Sequence, residues 1–117
     1  MPLHRDRVAT PIHEIKAELF KSLAHPLRVR VLELLADGER AVSELLAETG
    51  TEASLLSQHL AVLRRSGAVT ARREGSTVRY RLAHEAVAAL LKDARTFLLA
   101  TLDQTREVLA GLEDEQR

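Results

Sequence analysis

Ser54, Ser57, Gln58 and His59, followed by Arg64 and Arg65, bring hydrogen-bonding edges and cations together in one short stretch. A glutamine amide can pair with the edge of adenine, and a serine hydroxyl can serve a base or a phosphate. Arginine neutralises phosphate oxygens. Arg72, Arg73, Arg79 and Arg81 follow downstream. Between Arg64 and Arg81 six arginines stand against Glu74 alone, six less one or a net +5, whereas the whole chain balances 17 Lys+Arg against 17 Asp+Glu. Positive charge gathered locally in a neutral chain suits a surface that meets a polyanion. Other chemistry is poorly supplied. The 117 residues include no cysteine, so there is no disulfide, thiolate nucleophile or thiolate metal site. No glycine-rich phosphate loop or GxSxG is present, and the paired acids Asp114-Glu115 sit in a solvated acidic tail. We expect no enzyme. Of the five histidines, His4, His13 and His84 are the candidates for a nickel or zinc site. They lack tight metal spacings such as HxH or HxxxH. His25, before Pro26, reads as a cap or turn residue, and His59 belongs to DNA binding or to packing.

The elements that must position these side chains follow from periodicity. From Thr51 to Ser66 the residues Leu56, Leu60 and Leu63, with Leu55 and Val62 beside them, form one apolar helical face. Ser54, Ser57, Gln58, Ala61 and Arg65 occupy other faces. Gly67 stops the helix. Two alternating runs, Val69–Arg73 and Thr77–Leu82, are joined by Glu74-Gly75-Ser76, a hairpin signal. A polar-faced helix fits a major groove, and an arginine-rich hairpin can follow the backbone. Strand alternation divides the arginines between two faces, so only some reach phosphate and the rest are surface charge or pair with acids.

Upstream, residues 1–10 are polar and expected to be flexible. Thr10 is a candidate cap and Pro11 a first helical residue for a helix over 12–23, whose apolar face carries Ile12, Ile15, Leu19 and Leu23. His25-Pro26 breaks the pattern. A second helix carries Leu27, Val31, Leu34 and Leu35 and ends at Asp37-Gly38, and a third spans Val42 to Glu48 with Val42, Leu45 and Leu46 inward. Short helix, glycine turn and polar-faced helix over 42–66 make a helix-turn-helix, and the hairpin over 69–82 makes it winged. The last helix spans His84 to Leu112, about 44 Å at 1.5 Å per residue. Its stripe includes Val87, Leu90, Leu91, Ala94, Phe97, Leu98 and Leu102. A small winged domain cannot cover a stripe of that length, which marks an interface. The expected fold is therefore mainly α with a small β-hairpin: one winged helix-turn-helix domain over 1–117, with five helices and a two-stranded wing. It dimerises through 12–23 and 84–112 and offers two reading helices to two half-sites. No run of 18 apolar residues spans a membrane. The opening MPLHRDRVATPIHE lacks a signal-peptide core, so a cytoplasmic location is expected.

The segments Phe20-Lys21-Ser22-Leu23-Ala24-His25-Pro26-Leu27-Arg28-Val29-Arg30-Val31-Leu32 and Leu56-Ser57-Gln58-His59-Leu60-Ala61-Val62-Leu63-Arg64-Arg65-Ser66-Gly67-Ala68-Val69 resemble the signatures of the ArsR/SmtB family. The Arg73-Glu74-Gly75 turn and the Tyr80-Arg81-Leu82 strand match as well, and the resemblance covers about residues 12–110. It implies homodimeric winged-helix repressors on inverted-repeat operators, released by an inducer that is most often a metal ion. The family's two metal sites do not carry over. Its cysteine pair falls at Ala41 and Ser43, and its last-helix ligands fall at His84, Ala86, Phe97 and Ala100. Only His84 could ligate, giving two ligands per dimer against the four that zinc expects. The resulting expectation is a double-stranded-DNA-binding homodimeric repressor that needs no cofactor and answers to an unidentified inducer or partner protein. One rival is a nickel- or zinc-responsive repressor with a histidine site at His4, His13 and His84. Another is a non-catalytic protein-interaction module on the same fold, which salt-insensitive behaviour would reveal.

Overall fold

The computed structural model describes residues 10–115. The flexible segment expected over 1–10 lies, apart from Thr10, outside the described residues, as does His4. Five helices are described: α1 (Ile12–Leu23), α2 (Pro26–Ala36), α3 (Val42–Thr49), α4 (Ala53–Arg65) and α5 (Glu85–Glu115). Three strands accompany them: β1 (Arg40–Ala41), β2 (Val69–Glu74) and β3 (Thr77–Leu82).

Local chemistry sets the boundaries. Pro11 occupies the cap position of α1 rather than its first helical position, and its carbonyl accepts from the Glu14 and Ile15 amides at 3.1 and 3.3 Å. His25 caps α2: its Nδ1 accepts from the Leu27 amide at 3.1 Å, with Pro26 opening the helix behind it. Between α3 and α4 the chain turns at Gly50, whose φ of 66° lies in the left-handed region that side chains with a Cβ resist. Its amide donates to the Leu46 carbonyl at 2.9 Å and closes α3.

The sheet has three strands in the order β1-β3-β2, all antiparallel. The hairpin register pairs Val69 with Leu82, Arg72 with Arg79 and Glu74 with Thr77. The wing expected as two-stranded thus gains a third strand, because Arg40 and Ala41 pair with Tyr80 and Arg79. Two residues are too few to show alternation in a sequence.

The core lies where α2, α3 and α4 meet the sheet and the first turns of α5. Val31, Leu32, Leu45, Leu56, Leu60 and Leu63 are its most enclosed side chains, each stabilising the fold by roughly 1.5–3 kcal/mol through burial. Val87, Leu90 and Leu91 close the core from α5. Beyond them α5 leaves the domain, and Phe97, Leu98, Leu102, Val108, Leu109 and Leu112 are exposed, as are Ile12, Ile15, Leu19 and Phe20 on α1. Among the described residues no helix is long and apolar enough to cross a membrane.

Candidate nucleic-acid interface

Helix α4 is sorted into two faces. Leu56, Leu60 and Leu63 seat it on the core, while Ser54, Ser57, Gln58, Arg64 and Arg65 are exposed. The helix closes firmly behind them. The Ser66 amide donates to Val62, the Gly67 amide to Arg64 and the Ala68 amide to Leu63, each at 3.0 Å. The Ser66 hydroxyl donates to the Leu63 carbonyl at 2.9 Å. Arg64 and Arg65 lie in the last turn, where the helix dipole favours cations. Leu55 was expected beside the buried row and is instead exposed. One residue before Leu56 is 100° around the helix, enough to turn it outward.

His59, which its place in the sequence leaves open to DNA contact or to packing, is only 8% exposed and turns inward, away from the DNA-contacting side chains. Its Nδ1 accepts a hydrogen bond from Arg28 Nε at 3.0 Å, and its ring centroid lies 4.1 Å from that of His25. Burial, then the charges of His25 and Arg28, hold its pKa below the usual histidine value. A neutral, enclosed imidazole packs the helix in place and is not available to a phosphate.

The wing divides its arginines between bound and unbound. Arg72 forms a two-pronged pair with Glu39 (Nε–Oε1 2.9 Å, Nη2–Oε2 3.1 Å) and reaches Glu74 Oε2 through Nη1 at 2.7 Å. Hydrogen bonding to Arg72 is the main reason that the Glu39 carboxyl lies below its ordinary pKa. Arg79, opposite Arg72 in the register, lies 3.7 Å from Glu39 and 3.8 Å from Glu44. Like charges placed opposite repel, and Glu39 from the α2–β1 connection stands between them as a shared counter-charge. The register puts Thr70, Arg72, Arg79 and Arg81 on one face, and Val69, Ala71, Tyr80 and Leu82 on the core face with Arg73 near the tip. Arg73 and Arg81 are exposed. No side-chain hydrogen bond or ion pair of Arg64, Arg65, Arg73 or Arg81 is found among the described residues. Sequence reasoning missed Glu39, Glu44 and Arg28. Pairing partners some 30 residues away leave no periodic trace.

The remaining histidines are spread out. His13 is exposed on α1. His84 precedes α5, and its Nδ1 accepts from the Ala86 amide at 2.9 Å. No group of three or more His, Cys, Asp or Glu side chains able to hold a metal occurs among the described residues. Of the four last-helix positions where the family resemblance places metal ligands, only His84 bears a metal donor, with its Nδ1 engaged as a cap. These residues do not fit a metal centre of that kind.

Comparison with known proteins agrees with this geometry. Residues 25–71 match the model of the bacterial regulatory protein, arsR family. The chain is 48% identical over 103 residues to the uncharacterized HTH-type transcriptional regulator Rv0081 of Mycobacterium tuberculosis, covering 87% of this chain and 90% of that one. The crystal structure of Rv0081 superposes with a TM-score of 0.77 over 83% of this chain and 98% of that one. The biofilm growth-associated repressor of Agrobacterium fabrum is 40% identical over 95 residues, covering 78% of this chain and 81% of its own. A solution structure from Mycobacterium bovis, described as a homodimeric winged helix-turn-helix DNA-binding domain and a possible ArsR-family regulator, is 35% identical. It matches with a TM-score of 0.74 over 86% of this chain and 90% of that one. With its helix-turn-helix, its wing and these relatives, the chain belongs to the ArsR/SmtB family of winged helix-turn-helix transcriptional regulators.

Proposed function

We propose that the chain is a homodimeric, sequence-specific repressor that reads an inverted-repeat operator with α4. The observation that carries this reading is α4 itself: a leucine face locked into the core and an exposed face of Ser54, Ser57 and Gln58 running into Arg64 and Arg65. Ser54, Ser57 and Gln58 meet base edges or phosphates. Arg64, Arg65, Arg73 and Arg81 neutralise phosphates. Arg72 and Arg79, already paired with acids, shape the wing and contribute less. Dimerisation uses Ile12, Ile15 and Leu19 of α1 with Ala94, Phe97, Leu98 and Leu102 of α5, whereas Val87, Leu90 and Leu91, expected in the same stripe, pack against the core of their own chain. The exposed apolar residues on both helices support it, as does the homodimeric relative. An inducer of unidentified chemistry would act by preferring a dimer geometry that does not fit DNA.

The test is fluorescence anisotropy of the metal-free protein on a labelled duplex from its own upstream region. Binding should weaken steeply between low and moderate salt, because arginine–phosphate contacts release counterions. Salt-insensitive binding, or none to any duplex, would favour a protein-interaction module instead. Adding nickel or zinc should leave the curve in place. A several-fold shift with either metal would direct attention to His4, His13 and His84.

A further inference from the structure

His59 is the one buried polar side chain among the described residues, and it stands on the reading helix next to Gln58. Its partner Arg28 does more than meet it. Arg28 on α2 donates from Nε to His59 Nδ1 at 3.0 Å and from Nη1 to the Ser22 carbonyl, in the last turn of α1, at 2.8 Å. One guanidinium therefore ties the end of α1 to the middle of α4. His25, fixed as the cap of α2, lays its ring against His59 at 4.1 Å with the planes tilted by 36°.

This arrangement works in one protonation state. An Nδ1 that accepts a hydrogen bond must carry a lone pair, so the ring is neutral with its proton on Nε2. A second proton would go on Nδ1, facing the Arg28 N–H at 3.0 Å: donor against donor, cation against cation. The bond would become a repulsion, and α4 would have to move or loosen to relieve it.

We infer that Arg28 and His59 form a proton-sensitive latch that seats the reading helix on α1 and α2, so that acidification lowers DNA affinity by unseating α4. Both are positioning residues. The inference rests on α4 being the DNA-reading helix. The groups that act on the ring are His25, from the α1–α2 connection, and Arg28, from α2. Both oppose protonation, α1 contributes through Arg28 only the neutral Ser22 carbonyl, and no carboxylate pairs with His59 among the described residues. Burial is the largest cause of the lowered pKa, ahead of these two charges. The sign follows. The latch is closed above the ordinary histidine value of about 6.5, and it is lost as pH falls below that value and through the depressed one.

Two measurements test it on the full chain between pH 8.0 and 5.5 at constant ionic strength. One is anisotropy on the labelled upstream duplex. The other is hydrogen exchange of the α4 amides in the free protein, expressed as protection factors. The wild type should lose affinity on acidification, by up to about tenfold per pH unit for each latch that takes up a proton. Protection in α4 should fall in parallel. His59→Asn places a non-titrating oxygen where Nδ1 stood, and it should keep wild-type affinity at pH 8.0 while losing much less on acidification. Arg28→Gln removes both bonds. It should bind more weakly throughout and lose the same acid-dependent component, so it decides the matter should His59→Asn not fold. Wild-type and variant pH profiles that superimpose, with equal α4 protection at acid pH, would overturn the latch. Failure to bind duplex at any pH would overturn the reading of α4 instead. The exchange measurement would still judge the latch, since acid-induced opening of α4 in the wild type but not in His59→Asn requires it.

Discussion

Helices α4 and α5 both carry apolar residues at three- and four-residue steps, yet they spend them differently. Leu56, Leu60 and Leu63 of α4 are at most 2% exposed, whereas Phe97 and Leu98 of α5 are 71% and 65% exposed. The 13 residues of α4 are short enough for α2 and the sheet to enclose. The 31 residues of α5 run about 46 Å and outreach the domain after Leu91. Periodicity says that a face seeks burial. It does not say whether the cover can come from the same chain, and in α5 the helix outreaches what its own domain covers. A long exposed apolar stripe would otherwise invite association without specificity.

The largest expected effect breaks the comparison on the α4 side. Leu60→Ala should lower unfolding stability by about 2–5 kcal/mol through lost burial and a residual cavity. Urea denaturation at two subunit concentrations would measure it, and the loss should be the same at both. Leu98→Asp probes the α5 side. The domain should keep its helix content by circular dichroism, while the dimer weakens by roughly tenfold or more, because the carboxylate would be buried without a partner. Sedimentation velocity reads this directly, and an unchanged dimer would remove Leu98 from the interface.

Smaller effects sharpen the contrast between polar faces. Gln58→Ala should weaken operator binding by about 1–3 kcal/mol and leave random-duplex binding nearly unchanged. An unaltered ratio would mean that the reading face is set elsewhere on α4. Smallest is the wing pair. Arg73→Ala should reduce the salt dependence of DNA binding by about one phosphate contact, whereas Arg72→Ala should reduce it less, since Arg72 is already held by Glu39 and Glu74. Equal slopes for the two variants would show that the acids release Arg72 when DNA arrives.

Most of the fold was legible because it rests on local rules. The Leu56–Leu60–Leu63 face, the break at His25-Pro26, the glycine turn before α4 and the hairpin around Glu74-Gly75-Ser76 are each written in residues a few positions apart, and each forms as expected. The candidate site was legible in outline and misread in detail. Leu55, expected beside the buried row, is exposed, and His59, open to DNA contact or to packing, is buried. A histidine suits either a groove or a core, and the choice was made by Arg28, 31 positions away in the chain. The count of six arginines against one glutamate was correct for the stretch but not for the surface, because Glu39 and Glu44 fold against the wing. The strand Arg40–Ala41 was invisible for the same reason: its pairing partner, β3, lies far along the chain.

By itself the sequence determined the five helices and the two hairpin strands, which helical face is apolar, and the family to which these patterns belong. Those properties depend on backbone preferences and on spacings of three or four residues, which a linear chain displays openly. Only the tertiary structure decided which arginines remain available for phosphate, that His59 is a buried acceptor, and that the stripe of α5 leaves the domain uncovered. These outcomes depend on which side chains arrive from distant segments. Hydrogen bonds and ion pairs act over a few ångströms of space and take no account of distance along the chain.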